Sequence, residues 1–410
     1  MKLYGPFAQL ISMDGLPLKG PISDDELSIE ENFGIYEKNG VINEIGPFNE
    51  LASKYTYAEK ISPSRNSWIV VPAFIDCHTH ICWAGTRIND YALRVAGKGY
   101  LEIAASGGGI MDTVRATRAA TEDELIQSIV ERAKELTRFG ISIIEVKSGY
   151  GLTVNDELKM LRAIKEANKI TPARLISTFL GAHIRPKDFE GSNEQYLDNL
   201  IHEVVPVILE EKLANRADIF VEKGAFGVSE SRRYMEKMKK LGFEITVHVD
   251  QFHPGGAELA AELGAVSADH LEYTGDAGIG ALTDSDTVAV ALPGASMGLG
   301  MKFSPARKLL DAGASVAIAS DWNPGSAPMG NLLTQASVLG AAEKLSIAET
   351  LAGITNRAAY ALRVEGGTIS TGKEAKLAIF ETEDVREIFY RQGQLIPLMT
   401  VIGEDCIRHD

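Results

Sequence analysis

The chain has 410 residues, 45% of them hydrophobic and 24% charged, the proportions of an ordinary globular protein. A formal net charge of −15 argues against nucleic acid or an anionic membrane surface as partner, and any anionic substrate has to be met by a local cation. Three cysteines cannot build a disulfide framework, and the opening MKLYGPFAQLISMDGLPLKG lacks the basic region and unbroken apolar core of a secretory signal, so a cytoplasmic protein is expected.

Residues 1–67 mix short apolar stretches with turns such as KNGVINEIGP, the pattern of small antiparallel strands around an Asn/Gly turn. From Trp68 the texture changes to short β-rich segments alternating with long helical patterns. The predicted strands are WIVVPAFID (68–76), ISIIEVK (141–147), RLISTFLG (174–181), ADIFVEK (217–223), FEITVHVD (243–250), AVSADH (265–270), TVAVALP (287–293) and ASVAIASD (314–321). Between them lie helical stretches such as TEDELIQSIVERAKELTRFG, which opens on a Thr cap with an acidic first turn and closes on Gly. TVNDELKMLRAIKEANKI and SESRRYMEKMKKLG have the same form. Eight strands, each with a crossover, predict an α/β fold: a (β/α)8 TIM barrel over 68–362. The strand-and-turn texture returns over 363–410. It predicts that both chain termini, 1–67 and 363–410, form one small β-sandwich-like domain.

The active face of such a barrel lies at the C-terminal ends of its strands, which makes the polar residues there informative. Five of the eight histidines fall at predicted strand ends, namely His78, His80, His183, His248 and His270. Tyr150 follows strand two, Glu222 and Lys223 end strand four, Asp250 ends strand five and Asp321 ends strand eight. His202, His253 and His409 read as helix, loop and tail residues without an assigned role. In an extended segment residues i and i+2 share a side, so His78 and His80 can both turn toward the barrel axis. Alone, His-x-His is a weak signal. Joined by His248 and Asp321 it makes three imidazoles and a carboxylate, a set that suits zinc or iron and leaves a position for an activated water.

PAFIDCHTH, VHVDQF, SADHLE and ASDWNPGS together resemble the amidohydrolase superfamily. Within it, WAGTR, SGGGIMDTVRATR, EVKSGYGL, TFLGAH, GGAELAAELGAVSADHLEY and SDWNPGSAPM resemble the imidazolonepropionase family, in order from Trp68 to Leu362. The resemblance implies hydrolysis of 4-imidazolone-5-propanoate to N-formimidoyl-L-glutamate by a homodimer with one metal ion per chain, zinc or iron. Residue by residue, it implies His78, His80, His248 and Asp321 as ligands. It gives Asp321 a second role in orienting the water and passing its proton to the leaving nitrogen, and His270 the role of polarising the ring carbonyl. Arg87 matches the position that faces the substrate's propanoate, where a guanidinium gives a bidentate charge-assisted pair. Tyr150 and His183 match substrate contacts, and Asn323, Gly325 and Ser326 match contacts to the product carboxylate. Gln251 stands where related deaminases carry a proton-shuttling glutamate. Its amide cannot titrate, which counts against deamination and leaves it a substrate-binding role.

Two stretches depart from the family pattern, Cys82-Trp83 and Asp90-Tyr91. Both flank Arg87 and bear on pocket shape. SGGGI at 106–110 lacks a P-loop lysine and reads as a close-approach loop over the pocket. Cys77 alternates away from the histidines, and Cys77 and Cys82 are both rejected as ligands. Two competing readings stay open. One is a hydantoinase- or dihydroorotase-type enzyme, which would bridge two metals with a carboxylated lysine near the place of Lys223. The other is a metal-binding barrel without catalysis.

Overall fold

The structure is a computed structural model that describes residues 1–63, 67–98, 102 and 107–409. Eight strands, all parallel to their neighbours and in sequence order, line the centre. They are β1 (Phe74–Asp76), β2 (Ile141–Lys147), β3 (Arg174–Ala182), β4 (Arg216–Val221), β5 (Glu244–Val249), β6 (Ser267–His270), β7 (Val288–Ala291) and β8 (Val316–Ile318). The ring closes just beyond β1 and β8 by a parallel bridge between Thr79 and Trp322. There the Asp321 N–H donates to His78 O at 3.0 Å and the His80 N–H to Trp322 O at 3.0 Å. Asp76 seals the seam lower down, accepting from the Ser320 N–H at 3.0 Å and from the Ser320 hydroxyl. The result is the predicted (β/α)8 barrel, with additional sheets built from the termini.

The helices begin where side chains can satisfy their free N–H groups. Thr121 accepts from the Glu124 N–H at 3.2 Å while Glu124 accepts from the Thr121 N–H at 2.8 Å, which starts the helix Glu122–Arg138. Thr153 caps Val154–Ala167 in a similar manner, accepting from the Asp156 N–H. Each helix turns its apolar residues onto the barrel wall. Leu125, Ile129, Ala133 and Leu136 of the first are fully buried in the main core.

The predicted strand 68–76 is in fact two. Ile69–Pro72 belongs to a six-stranded sheet, pairing antiparallel with Lys376–Phe380 and parallel with Gln9–Ile11, and only Phe74–Asp76 enters the barrel. Between them the Ala73 N–H donates to Lys376 O at 2.9 Å, the last bond to the outer sheet before the chain crosses over. An unbroken apolar run carries no mark of which sheet each half joins. A second sheet of four strands (Val41–Pro47, Phe33–Lys38, Lys2–Phe7, Glu59–Ile61) packs on the first. Tyr4, Phe7 and Ile35 of one share a core with Val70, Leu377, Ile379 and Val401 of the other, so chain start and chain end are held in one apolar unit. None of the described helices is long and apolar enough to cross a membrane.

Candidate active site

The strands bring His78, His80, His248, His270 and Asp321 to one end of the barrel, all of them buried. His80 Nε2 stands 3.3 Å from His248 Nε2 and 3.4 Å from Asp321 Oδ1, and His78 Nε2 stands 3.5 Å from that same oxygen. Donors held tetrahedrally at about 2.0–2.1 Å from an ion are themselves about 3.3–3.4 Å apart. The three contacts that link these four donors have the spacing of neighbouring ligands on one cation, and His78, His80 and His248 offer donor atoms within 4.8 Å of one another. His78 Nε2 is fully enclosed and has no hydrogen-bond partner, which a ligand position explains.

Behind these imidazoles are carboxylates that the sequence alone did not single out. His78 Nδ1 lies 2.6 Å from Asp269 Oδ2, and His248 Nδ1 lies 2.9 Å from Asp218 Oδ2. At His78 the carboxylate accepts from Nδ1, which holds the proton there and turns the lone pair of Nε2 into the site, and at His248 the neighbouring carboxylate favours the proton at Nδ1 by its charge. A signal for them was present: an acid in the otherwise apolar ADIFV, and another in SADH, is tolerated inside a barrel only when paired.

Burial sets the protonation of the rest. It pushes His80 and His248 below the ordinary imidazole range, so both are neutral and fit to ligate. Burial would raise the Asp321 carboxyl, but the His78 and His80 imidazoles beside it outweigh that and hold Asp321 well below the ordinary carboxylate range. His183, whose Nδ1 lies 3.0 Å from Gly149 O and whose ring stacks on His80 at 5.5 Å, is pushed down to about 3 by burial and by His80. It is a neutral ring on the pocket wall, with Tyr150 5.5 Å away.

His270 and Asp321 both have left-handed backbones, φ 86° and 51°, conformations that L-residues adopt only under constraint. The His270 carbonyl accepts from the Ser304 hydroxyl, and the next N–H, that of Leu271, donates to Val249 O at 3.1 Å. The Asp321 carbonyl accepts from Asn323 Nδ2 at 2.7 Å. His270 Nδ1 faces Glu272 at 3.5 Å, and its ring lies 5.3 Å from that of His248.

Arg87 is nearly buried, with a tenth of its side chain exposed. Its Nε pairs with Asp90, and Nη1 reaches toward Thr113 Oγ1 at 3.4 Å and borders Gly325, where a Cβ would come within 3.2 Å of it. The departure at Asp90 thus serves the structure, because the carboxylate holds Arg87 and also accepts from the Gly109 N–H at 2.9 Å. Tyr91 is exposed, and Trp83 is packed edge-on against Trp322 with Arg132 over its ring. Of SGGGI, Ser106 lies outside the described residues; Gly109, at φ 76°, opens the helix Ile110–Ala119.

Asn323, Gly325 and Ser326 lie together beside Arg87, but their polar groups are engaged with one another. The N–H groups of Gly325 and Ser326 both donate to Asn323 Oδ1 at 2.8 Å, and Asn323 Nδ2 donates to Ser326 Oγ at 2.9 Å. Ser326 Oγ is also 3.4 Å from Asp321 Oδ2. Gln251 is buried at the end of β5, in a loop fixed by Glu222, which accepts from the N–H groups of Phe252 and His253 and pairs with His253 Nδ1 at 2.6 Å. Lys223 is exposed. The thiols of Cys77 and Cys82 are pushed above their ordinary range by burial, and neither enters the cluster of candidate ligands.

A closed barrel with imidazoles and a carboxylate converging on one strand-end pocket is the arrangement of a metal-dependent hydrolase. The model of the amidohydrolase family matches residues 94–401. The imidazolonepropionase of Clostridium tetani is 37% identical to this chain over 98% of it and 96% of its own length, and that of Symbiobacterium thermophilum 41% identical over 94% and 92%. By fold alone, the chain is similar to 5-methylcytosine deaminase from Klebsiella pneumoniae, with a TM-score of 0.72, 17% identity and 98% of each chain covered. The chain belongs to the amidohydrolase family and, within it, to the imidazolonepropionases.

Proposed function

We propose that the protein hydrolyses the ring amide of 4-imidazolone-5-propanoate, breaking the C–N bond by addition of water to give N-formimidoyl-L-glutamate. Relatives of that name align with the chain over nearly its whole length. The observation that carries the chemistry is the run of 3.3–3.5 Å contacts that joins the enclosed donors of His248 to His80, and His80 and His78 to Asp321 Oδ1. An ion held by these four supplies a Lewis acid and lowers the pKa of a water to near neutrality. One ion per chain, zinc or iron, meets the donor set.

The chain's own residues do the rest. Asp321 is ionised, and Oδ2, which lies toward Ser326, is the atom that takes the proton of the attacking water and hands it to the departing ring nitrogen. His270 keeps Nδ1 toward Glu272 and offers Nε2 to the ring carbonyl, where negative charge grows. Arg87, anchored by Asp90, binds the propanoate and supplies the local cation that a chain of net charge −15 needs for an anionic substrate. Tyr150 and neutral His183 wall the ring. Gln251 contacts the substrate through an amide that transfers no proton, and Asn323, Gly325 and Ser326 receive the product's new carboxylate once the substrate displaces part of their internal bonding. The setting is a homodimer in the cytosol.

The two-metal reading requires a lysine aimed into the site from the end of β4, and the exposed Lys223 does not supply one. The test is anaerobic incubation with freshly made imidazolone propanoate, products followed by mass spectrometry beside a chelator-treated sample. Formimidoylglutamate that disappears on chelation and returns with zinc or iron is the expected result. Absence of turnover by folded, metal-loaded protein overturns the reading.

A further inference from the structure

Lys147 is the last residue of β2 and its side chain is 1% exposed. A buried ammonium is stable only among compensating charges, and here there are three. Its Nζ lies 2.8 Å from Glu145 Oε1, 2.9 Å from Asp218 Oδ2 and 3.9 Å from Asp269 Oδ2. Asp218 Oδ2 is the oxygen that faces His248 Nδ1 at 2.9 Å, and Asp269 Oδ2 is the oxygen that faces His78 Nδ1 at 2.6 Å. The third contact leads to the same place by another route. Glu145 Oε2 accepts from the Thr79 N–H at 3.1 Å, between His78 and His80, and the Lys147 N–H itself donates to Thr79 O at 3.0 Å.

All three carboxylates that Lys147 meets are therefore one step from a candidate ligand. We infer that Lys147 is a positioning residue for the metal centre, fixing the orientation of His78 and His248 through Asp269 and Asp218 and the backbone of the His78–His80 segment through Glu145. The physical reason is mutual repulsion. Asp218 and Asp269 stand on strands that flank β5 inside a closed barrel, and without a cation between them they move apart and carry the imidazoles with them. With the ammonium in place each keeps one oxygen on the lysine and on its histidine. Geometry at the ion then depends on a residue that never touches it.

This inference rests on the metal reading given above, and the experiment separates the two. Unmodified protein, K147M and the charge-balanced double variant K147M/E145Q are stripped of metal. Each is then titrated with cobalt(II) against a competing chelator, and the visible spectrum of the cobalt-loaded form is recorded. K159M serves as the stability control, because the Lys159 ammonium bonds the carbonyls of Thr117, Arg118 and Ala120 at a helix end and pairs with Asp156, away from the ligands.

The expected result is an affinity about 10- to 100-fold weaker in K147M, with shifted cobalt bands, while K159M lowers thermal stability and leaves the bands in place. If K147M does not fold, the double variant, which removes a cation and an anion together, carries the same expectation. Wild-type affinity and spectrum in a folded Lys147 variant overturn the role of the lysine alone. Failure of the unmodified protein to bind cobalt overturns the metal reading and this inference together.

Discussion

His78 Nδ1 lies 2.6 Å from Asp269 Oδ2, with both side chains sealed from solvent. Burial and the Lys147 charge both act to lower the His78 pKa, but Asp269 outweighs them and holds it up at about 9. Without metal, His78 is thus protonated at neutral pH, and an ion must displace that proton to reach Nε2. Metal affinity is expected to rise by about tenfold per unit from pH 6.5 toward 9 and to level off above. Chelator competition at pH 6.5, 7.5 and 8.5, corrected for the chelator's own protonation, measures the slope; a flat profile contradicts the pairing.

The same pair sets the stability of the metal-free protein, with the opposite pH trend. The folded pKa of His78 is above the ordinary value of 6.5, so its contribution is complete below 6.5 and is lost as pH rises through about 9. His80 and His248 are shifted downward and act only below 6.5. Chelated protein should therefore lose thermal stability between pH 6.5 and 9, by an amount on the order of a few kcal/mol. Thermal melts across that window decide it.

Asp269→Asn keeps the shape of the side chain and removes its charge. The amide can present either a donor or an acceptor to His78 Nδ1, so the imidazole is no longer held in one tautomer. Metal affinity is expected to fall by about 10- to 100-fold with the barrel intact. Retention of full affinity by the folded variant would show that the carboxylate is dispensable.

Arg87→Lys tests the proposed carboxylate contact. Arg87 holds Asp90 with Nε while Nη1 lies beside Gly325. A lysine has a single ammonium and cannot hold Asp90 and grip a carboxylate in a planar fork together. KM should rise about 10- to 100-fold, the worth of a charge-assisted pair, with kcat changed far less. Steady-state kinetics showing an unchanged KM would remove Arg87 from the substrate contacts.

Gly298→Ala tests the loop beyond β8. A Cβ at residue 298, on the helix Pro293–Leu299, would overlap the carbonyl oxygen of Ser326. That backbone has to retreat, and the Asn323–Ser326 cluster beside Asp321 and Arg87 moves with it. Turnover should drop by at least about tenfold, while metal binding, set on the other side of Asp321, stays near that of the unmodified protein. Parallel kinetics and metal titration separate the two effects, and unimpaired turnover would mean that the loop position does not matter.

Most of the barrel was legible in the chain because its signals are local. Alternation of strand and helix patterns, the Thr caps at 121 and 153, and histidines placed where strands stop depend only on neighbours a few residues away. His78 and His80 show the same locality: two residues apart in extended backbone, they must share a side. What stayed hidden depends on partners far along the chain. The run 68–76 divides between two sheets because Lys376–Phe380 arrives from the other terminus to pair with its first half. Asp218, Asp269 and the Glu145–Lys147 pair read as stray charges in three short segments, and their meaning appears only when β2, β4 and β6 close around β1 and β5. In that enclosed space a lone charge cannot persist, so burial itself joins them into one network and aims the histidines.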